Sequence, residues 1–230
     1  MELQRTDQWF KDRLGRFTAS KIQLLEAVGK SGKMTQGLET YIYNCVKEEI
    51  TQEWSEFDVK AMKWGRTHEP RAVALFELLY NKTVFEMPFI AYGDHSGGSP
   101  DGGIKGEPAV IEVKCPFNSS YHLKYLGIRT PEDLYKVEKD YYCQLQWNMH
   151  VTGSEWGYFI SYDPRILENP MLVMRMPKDD ECIERIERGL EMAIEYKETI
   201  YDVLQDNTPV LEPAFMQGSS STDDGLSSSN

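Results

Sequence analysis

SPDGGIKGEPAVIEVK, residues 99–114, is the stretch that decides how this chain reads. Asp101 stands at a Gly-rich turn, and eleven residues later comes Glu112-Val113-Lys114. AVIEVKCP at 109–116 reads as a compact strand, and in a strand residues i and i+2 share a face. Glu112 and Lys114 therefore project together, while Ile111 and Val113 face the other side. A hairpin through Gly102–Pro108 folds Asp101 back beside Glu112. The result is two carboxylates and an ammonium on one rim, with the Val113 carbonyl between them. A hard divalent ion such as Mg²⁺ takes such an oxygen set and keeps several waters. The lysine can hold or deprotonate a water aimed at phosphorus. The plainer alternative is a surface hairpin with an ordinary cross-strand ion pair. Against it, Glu112 sits within the apolar run Val110–Val113, where a carboxylate needs a partner or a metal.

Outward from this hairpin the chain changes texture twice. On its N-terminal side, helices are expected over 7–14, over a stretch capped by Thr18 or Ser20 and stopped at Gly29, over about 35–51, and over about 58–80 with a kink or break near Gly65 and Pro70. GKSGK at 29–33 reads as a flexible basic loop, and its spacing fails the Walker A pattern. TVFEMPFIAY at 83–92 reads as one strand, with Pro88 marking an edge or bulge. On the C-terminal side, helices are expected over 118–126 and 131–151, strands over 155–163 and 171–176, and a long helix over 179–206. Helices, three strands (83–92, a short one within the turn-rich GDHSGGSPDGG, and 109–116), helices, two strands and a helix make an α/β fold with a mixed central sheet. Residues 1–212 are expected to form one domain and 213–230, rich in Ser, Gly and Asp, a disordered tail.

Composition removes several alternatives. With 40% hydrophobic and 27% charged residues, the 230-residue chain is neither fibrous nor globally disordered. No apolar run approaches the roughly 18–20 residues of a membrane helix. The charged N-terminus lacks the apolar core of a secretory signal, so a cytoplasmic setting without membrane contact is expected. Cys45, Cys115, Cys143 and Cys182 are scattered, with no C-x-x-C pair, and read as free buried thiols. The net charge of -12 hides a polarised distribution. Residues 1–35 carry seven Lys/Arg against four Asp/Glu, and residues 177–206 carry four against ten. A positive cleft within a negative shell can still receive a polyanion, because local field steers it.

Several segments, in order, resemble the lambda-exonuclease family of phage-type recombination nucleases, within the wider PD-(D/E)-x-K superfamily. They are RLGRFTASK at 13–21, AMKWGRTHE at 61–69, SPDG at 99–102, IEVKCPF at 111–117 and YYCQLQW at 141–147, with YFISYDPR at 158–165 also similar. The resemblance implies a restriction-endonuclease-like core, a central mixed β-sheet flanked by helices. It implies that Asp101, Glu112 and the Val113 carbonyl hold Mg²⁺, two ions that Mn²⁺ can replace, and that Lys114 orients or activates the water. Glu69 and Gln144 would complete the site. Arg13 and Ser20 match the residues that grip a terminal phosphate. The physics agrees, since Arg offers a bidentate fork and free N–H groups at a helix start favour an anion. Met62 aligns with an apolar side chain that wedges strands apart, or is an ordinary core methionine. The interval from Lys114 to Gln144 is longer than in the lambda protein, with extra residues near GIRTPED. The isolated cysteines argue against the iron–sulfur cluster of some relatives.

The implied activity is Mg²⁺-dependent 5′-to-3′ exonucleolysis of double-stranded DNA ends, preferably 5′-phosphorylated, leaving a 3′ single strand. The implied partners are two further copies in a homotrimeric ring and a single-strand annealing protein. The alternatives are a structure- or site-specific endonuclease of the same fold and a catalytically silent DNA-end-binding module.

Overall fold

The computed structural model describes residues 4–53 and 60–207; the expected tail at 213–230 lies outside the described residues. The chain begins with helix α1 (Asp7–Arg13), strand β1 (Phe17–Thr18), a 3-10 turn (Ala19–Lys21), α2 (Gln23–Ser31), α3 (Gln36–Thr51) and α4 (Lys60–Tyr80). Strands β2 (Val84–Phe85), β3 (Ile90–Tyr92), β4 (Ser96–Gly98), β5 (Gly102–Ile104) and β6 (Ala109–Lys114) follow. Then come α5 (Ser119–Tyr125), α6 (Pro131–Val137), α7 (Lys139–Thr152), β7 (Trp156–Tyr162), β8 (Met171–Pro177) and α8 (Asp180–Asp206). The main sheet has the order β2-β5-β6-β7-β8, with β6 and β7 parallel and the other pairs antiparallel. A smaller sheet, β1-β4-β3, stands beside it. This is the mixed α/β architecture expected from the element order.

Alternation along β6 divides the core between the two faces of the main sheet. Ala109, Ile111 and Val113 cluster with Ala72 and Phe76 of α4 and with Tyr158, Ile160 and Tyr162 of β7. Val110 and Phe159 belong to the larger cluster with Leu145, Trp147 and Met149 of α7, Leu25 and Val28 of α2, and Ile183, Ile186 and Leu190 of α8. Each fully buried Val, Leu, Ile, Phe or Met among them contributes about 1.5–3 kcal/mol. Glu112 and Lys114 share the parity of Val110, so they emerge on the α7 side.

Polar side chains tie the layers together. Glu26 of α2 is fully buried and takes a hydrogen bond from Arg185 Nε (2.7 Å), one from the Tyr135 hydroxyl (3.0 Å), and an ion pair from Lys139. Burial opposes its charge, yet Lys139, Arg185 and Tyr135 together hold its pKa below the usual carboxylate value. Asp179 caps α8 by accepting from Cys182 N–H (3.0 Å), and it also accepts from the Tyr142 hydroxyl (2.7 Å). Cys45, Cys143 and Cys182 are buried free thiols, whereas Cys115 is half-buried.

Five local expectations change. The stretch 83–92 is two strands in different sheets, because Pro88 has no N–H with which to continue the ladder. Residues 131–151 form two helices, separated at Glu138 (φ −146°, ψ 73°). Gly29 does not stop α2. Gly32, in the left-handed region (φ 66°), stops it, so the helix takes in the first three residues of the expected basic loop. Thr18 caps only the 3-10 turn and does so without a side-chain bond, and Ser20 lies inside that turn rather than at an α-helix start. Its hydroxyl and that of Thr18 are 3.2 Å apart. Finally, of the kink or break expected near Gly65 and Pro70, the break does not occur: α4 continues through both residues. Among the described residues, no helix is long and apolar enough to cross a membrane.

Candidate active site

The antiparallel pairing of β5 with β6 sets Gly102 opposite Ile111 and Gly103 opposite Val110. That register brings Asp101, just before β5, to the end of β6. Its backbone N–H donates to the Ile111 carbonyl (3.1 Å), and its Oδ2 accepts from Val113 N–H (2.6 Å). On the opposite parity, Lys114 Nζ lies 2.7 Å from Glu112 Oε1 and donates to Gln144 Oε1 (3.1 Å). The other oxygen of Glu112 accepts from Asn148 Nδ2 (3.0 Å). Tyr141 places its ring 4.4 Å from the lysine nitrogen. Tyr141, Gln144 and Asn148 are spaced i, i+3 and i+7, so α7 presents all three to β6 from one face. Asp101, Glu112, Lys114 and Gln144 are therefore brought together as expected. Glu69, on α4, lines the same cleft with Asp101, and there it pairs with Arg5 (2.8 Å).

Electrostatically the cluster is crowded. Burial, then the charges of Glu112 and Glu69, push the Asp101 carboxyl well above its ordinary pKa; Lys114 and the Val113 N–H only partly oppose this. Burial likewise raises Glu112 against the pull of Lys114. Burial works against the charge of Lys114, but Glu112 and Asp101 outweigh it and hold the side chain as an ammonium. Three acidic side chains face two cations, Lys114 and Arg5, and a divalent ion would offset the remaining negative charge. Among the described residues, no three His, Cys, Asp or Glu side chains form a metal cage by themselves. The donor set suits an ion bound through two carboxylates, a carbonyl and water, which is the habit of Mg²⁺.

Arg13 lies in a second recess, lined also by Phe10, Leu14, Arg16, Thr18, Lys21, Tyr41 and Glu48. Its guanidinium stacks 4.2 Å over the Trp9 ring, and burial lowers its pKa to about 10, still cationic at neutral pH. Ser20 is exposed and reaches this recess only through the hydroxyl of Thr18. Trp9 Nε1 donates to Ser99 Oγ (2.8 Å), two residues before Asp101, so the recess and the acidic cluster share one scaffold. Met62, 46% exposed, stands on the rim of a groove of about 680 Å³ that also holds Val113, Lys114, Phe117, Tyr121 and Tyr141. It is not a core residue.

Sequence reading missed Asn148, Tyr141, Arg16, Lys21, Trp9 and Arg5. Helical spacing from Gln144 signals the first two, and the basic stretch 13–21 contains the next two. Arg5 carries no local signal, because its partner is 64 residues away.

Residues 8–155 match the family described as the YqaJ-like viral recombinase domain. The structure of an alkaline exonuclease, LHK-Exo from Laribacter hongkongensis, is 26% identical, with a TM-score of 0.74 over 87% of this chain and 97% of that one. LHK-Exo in complex with dAMP is 27% identical over the same shares, with a TM-score of 0.75. A phage-related exonuclease from Haemophilus somnus 129PT shares the fold at 15% identity, with a TM-score of 0.67 over 82% of this chain and 96% of that one. A search of curated proteins finds no match.

Proposed function

The chain belongs to the YqaJ-like viral recombinase family, and from that premise we propose that it is a Mg²⁺-dependent exonuclease. It degrades one strand of double-stranded DNA from the 5′ end, releases mononucleotides and leaves a 3′ single strand. The observation that carries this reading is the convergence of Asp101, Glu112, Lys114 and Gln144 at one end of β6. The likeness to an alkaline exonuclease over most of both chains supports it.

Asp101, Glu112 and the Val113 carbonyl would hold the metal, two Mg²⁺ ions that Mn²⁺ can replace; when bound it supplies Lewis-acid polarisation of the phosphodiester and a water of lowered pKa. The remaining work belongs to side chains. Lys114, a cation, orients the attacking water, and Gln144 and Tyr141 restrict its swing. Asn148 fixes the Glu112 carboxylate, so that its geometry does not depend on the substrate. Glu69 adds negative charge at the cleft mouth.

The Arg13 recess, lined also by two further basic residues and Thr18, is read as the seat of the terminal 5′ phosphate. A terminal phosphate carries up to about two negative charges, which favours an end over an internal diester. Fixing the end there sets how far along the strand the next cut falls. Linear DNA with one labelled 5′ phosphate should release labelled mononucleotide only when Mg²⁺ is added; release without divalent metal, or none with it, would refute the assignment. Charge-assisted hydrogen bonds contribute about 1.5–3 kcal/mol each, so Arg13→Ala should slow digestion of 5′-phosphorylated ends about ten- to a hundredfold. Ends bearing a 5′-hydroxyl already lack the contact and should lose much less. Equal losses on both ends would remove the phosphate assignment.

The same reading makes the protein a ring of three that encircles DNA in a cytoplasmic setting and hands its 3′ strand to an annealing protein. Acidic residues concentrated at 177–206 and basic ones at 1–35 support it, because a ring can turn the basic part inward. Heterologous contacts with cyclic symmetry close such a ring. Light scattering should give three times the chain mass, and a stable monomer at working concentration would exclude the ring.

A further inference from the structure

The first turns of α4 present two opposed faces. At about 100° per residue, Ala61, Met62, Gly65 and Glu69 fall on one side of the helix, and Lys60, Lys63, Trp64 and Thr67 on roughly the opposite side. The first three line the groove that holds Lys114, and Glu69 lines the adjoining cleft with Asp101. The second face forms its own shallow recess with His68 and Phe117, and among the described residues no acidic side chain lines it. In a chain of net charge -12, a strip bearing two exposed lysines, with no acid among the described residues of its lining, is a local reversal of sign. Its aromatic components are braced. Arg165 lies 4.2 Å over the Trp64 ring and donates to the Pro116 carbonyl (3.0 Å), while Phe117 meets Trp64 edge-on at 6.1 Å and stays 49% exposed. Lysines beside a held, exposed ring match the chemistry of a single nucleic-acid strand, with phosphates on the cations and a base on the aromatic face.

We infer that this outward face of α4, with Phe117 as its base platform, carries the intact strand as it leaves the duplex. The inference rests on the exonuclease reading. The strand being cut must cross the carboxylates, which lie on the groove side of α4. Its complement then needs another path, and the lysine face on the far side of the same helix supplies one. Phe117 borders both recesses, and Met62 stands at the groove rim. Thus α4 acts as the partition between the separated strands.

The test uses the full chain and a duplex with a recessed 5′ phosphate, held uncut in Ca²⁺. A 5-iodo-deoxyuridine is placed at the first unpaired position of the overhanging strand, or in the recessed strand near its end. Photocross-links mapped by mass spectrometry should join the overhanging strand to Phe117 or Trp64. Lys60→Ala/Lys63→Ala should lower the slope of log affinity against log salt on the overhang substrate by about 1.4, two phosphates at about 0.7 each. Cross-links to these rings from the recessed strand alone, or an unchanged salt slope, would overturn the inference. The unlabelled duplex is digested in Mg²⁺ in parallel. If it is not degraded, the exonuclease reading fails; if it is degraded while the cross-links fall elsewhere, only the strand path fails.

Discussion

Asp101→Asn should lower nuclease turnover by about a thousandfold or more and at the same time raise the melting temperature. The rate loss follows from removing a carboxylate that would hold the metal, whose charge stabilisation is worth several kcal/mol. The stability gain follows from the crowding of Asp101 by Glu112 and Glu69 in a desolvated site. A carboxyl whose folded pKa lies above its unfolded value binds its proton more tightly in the folded state. Its ionised form therefore destabilises the fold above the folded pKa, and that penalty is relieved as pH falls through it. The wild type should thus gain stability relative to Asp101→Asn on acidification from neutral pH toward the ordinary carboxylate range, a trend that calorimetry at a series of pH values would follow. Glu112→Gln should also abolish cleavage but should not stabilise. It strips the main counter-charge from Lys114, and a cation left without its buried partner is costly. Near-native activity in either variant would show that the chemistry lies elsewhere, and a lower melting temperature for Asp101→Asn would refute the crowding argument.

The second large effect concerns the scaffold behind the site. Gly29 of α2 and Gly189 of α8 lie where the two helix backbones touch. A Cβ added at Gly189 would sit 2.0 Å from the Leu25 carbonyl oxygen, and one at Gly29 would sit 1.8 Å from that of Arg185. Both obstacles are backbone, so no rotamer change relieves them. Alanine would improve helix propensity by up to about 1 kcal/mol, but forcing the helices apart disturbs packing that typically costs about 1–3 kcal/mol and occasionally more. With backbone on both sides the steric loss wins. Gly189→Ala should lose about 2 kcal/mol, a fall of about 4–8 °C for a chain of this size. Gly65→Ala is the matched comparison, since no described atom lies within 4 Å of its added Cβ. It should keep or raise the melting temperature. A Gly189→Ala protein as stable as the wild type would mean that the helices do not meet this closely in solution.

The sequence by itself determined the heart of the site. Period-2 alternation over 109–114 placed Glu112 and Lys114 on one face, and the glycines after Asp101 announced the hairpin that folds it back. These are local patterns, written by the geometry of a strand and a turn. The long final helix was legible for the same reason, from apolar residues at helical spacing over 179–206. Pro88 was noticed, but its consequence was not, because a break and an edge position look alike until the partner strands are known. Gly29 read as a stop because a glycine near a helix end usually is one. Only the approach of α8 from 160 residues away shows why the helix continues through it.

Tertiary structure alone decided the rest. Arg5 meets Glu69, Asn148 meets Glu112, and Trp9 meets Ser99 across separations of 64, 36 and 90 residues. No local periodicity encodes such pairs, since they depend on which helix lies over which strand end. The same holds for Ser20, which the motif placed at a helix start and the fold placed in a 3-10 turn, one hydroxyl removed from the Arg13 recess. The two faces of α4 belong to both levels. Helical spacing separates the lysines from Glu69 in the sequence, but which face meets the carboxylates and which meets solvent was settled by Ala72 and Phe76, farther along the same helix, packing against β6 and β7.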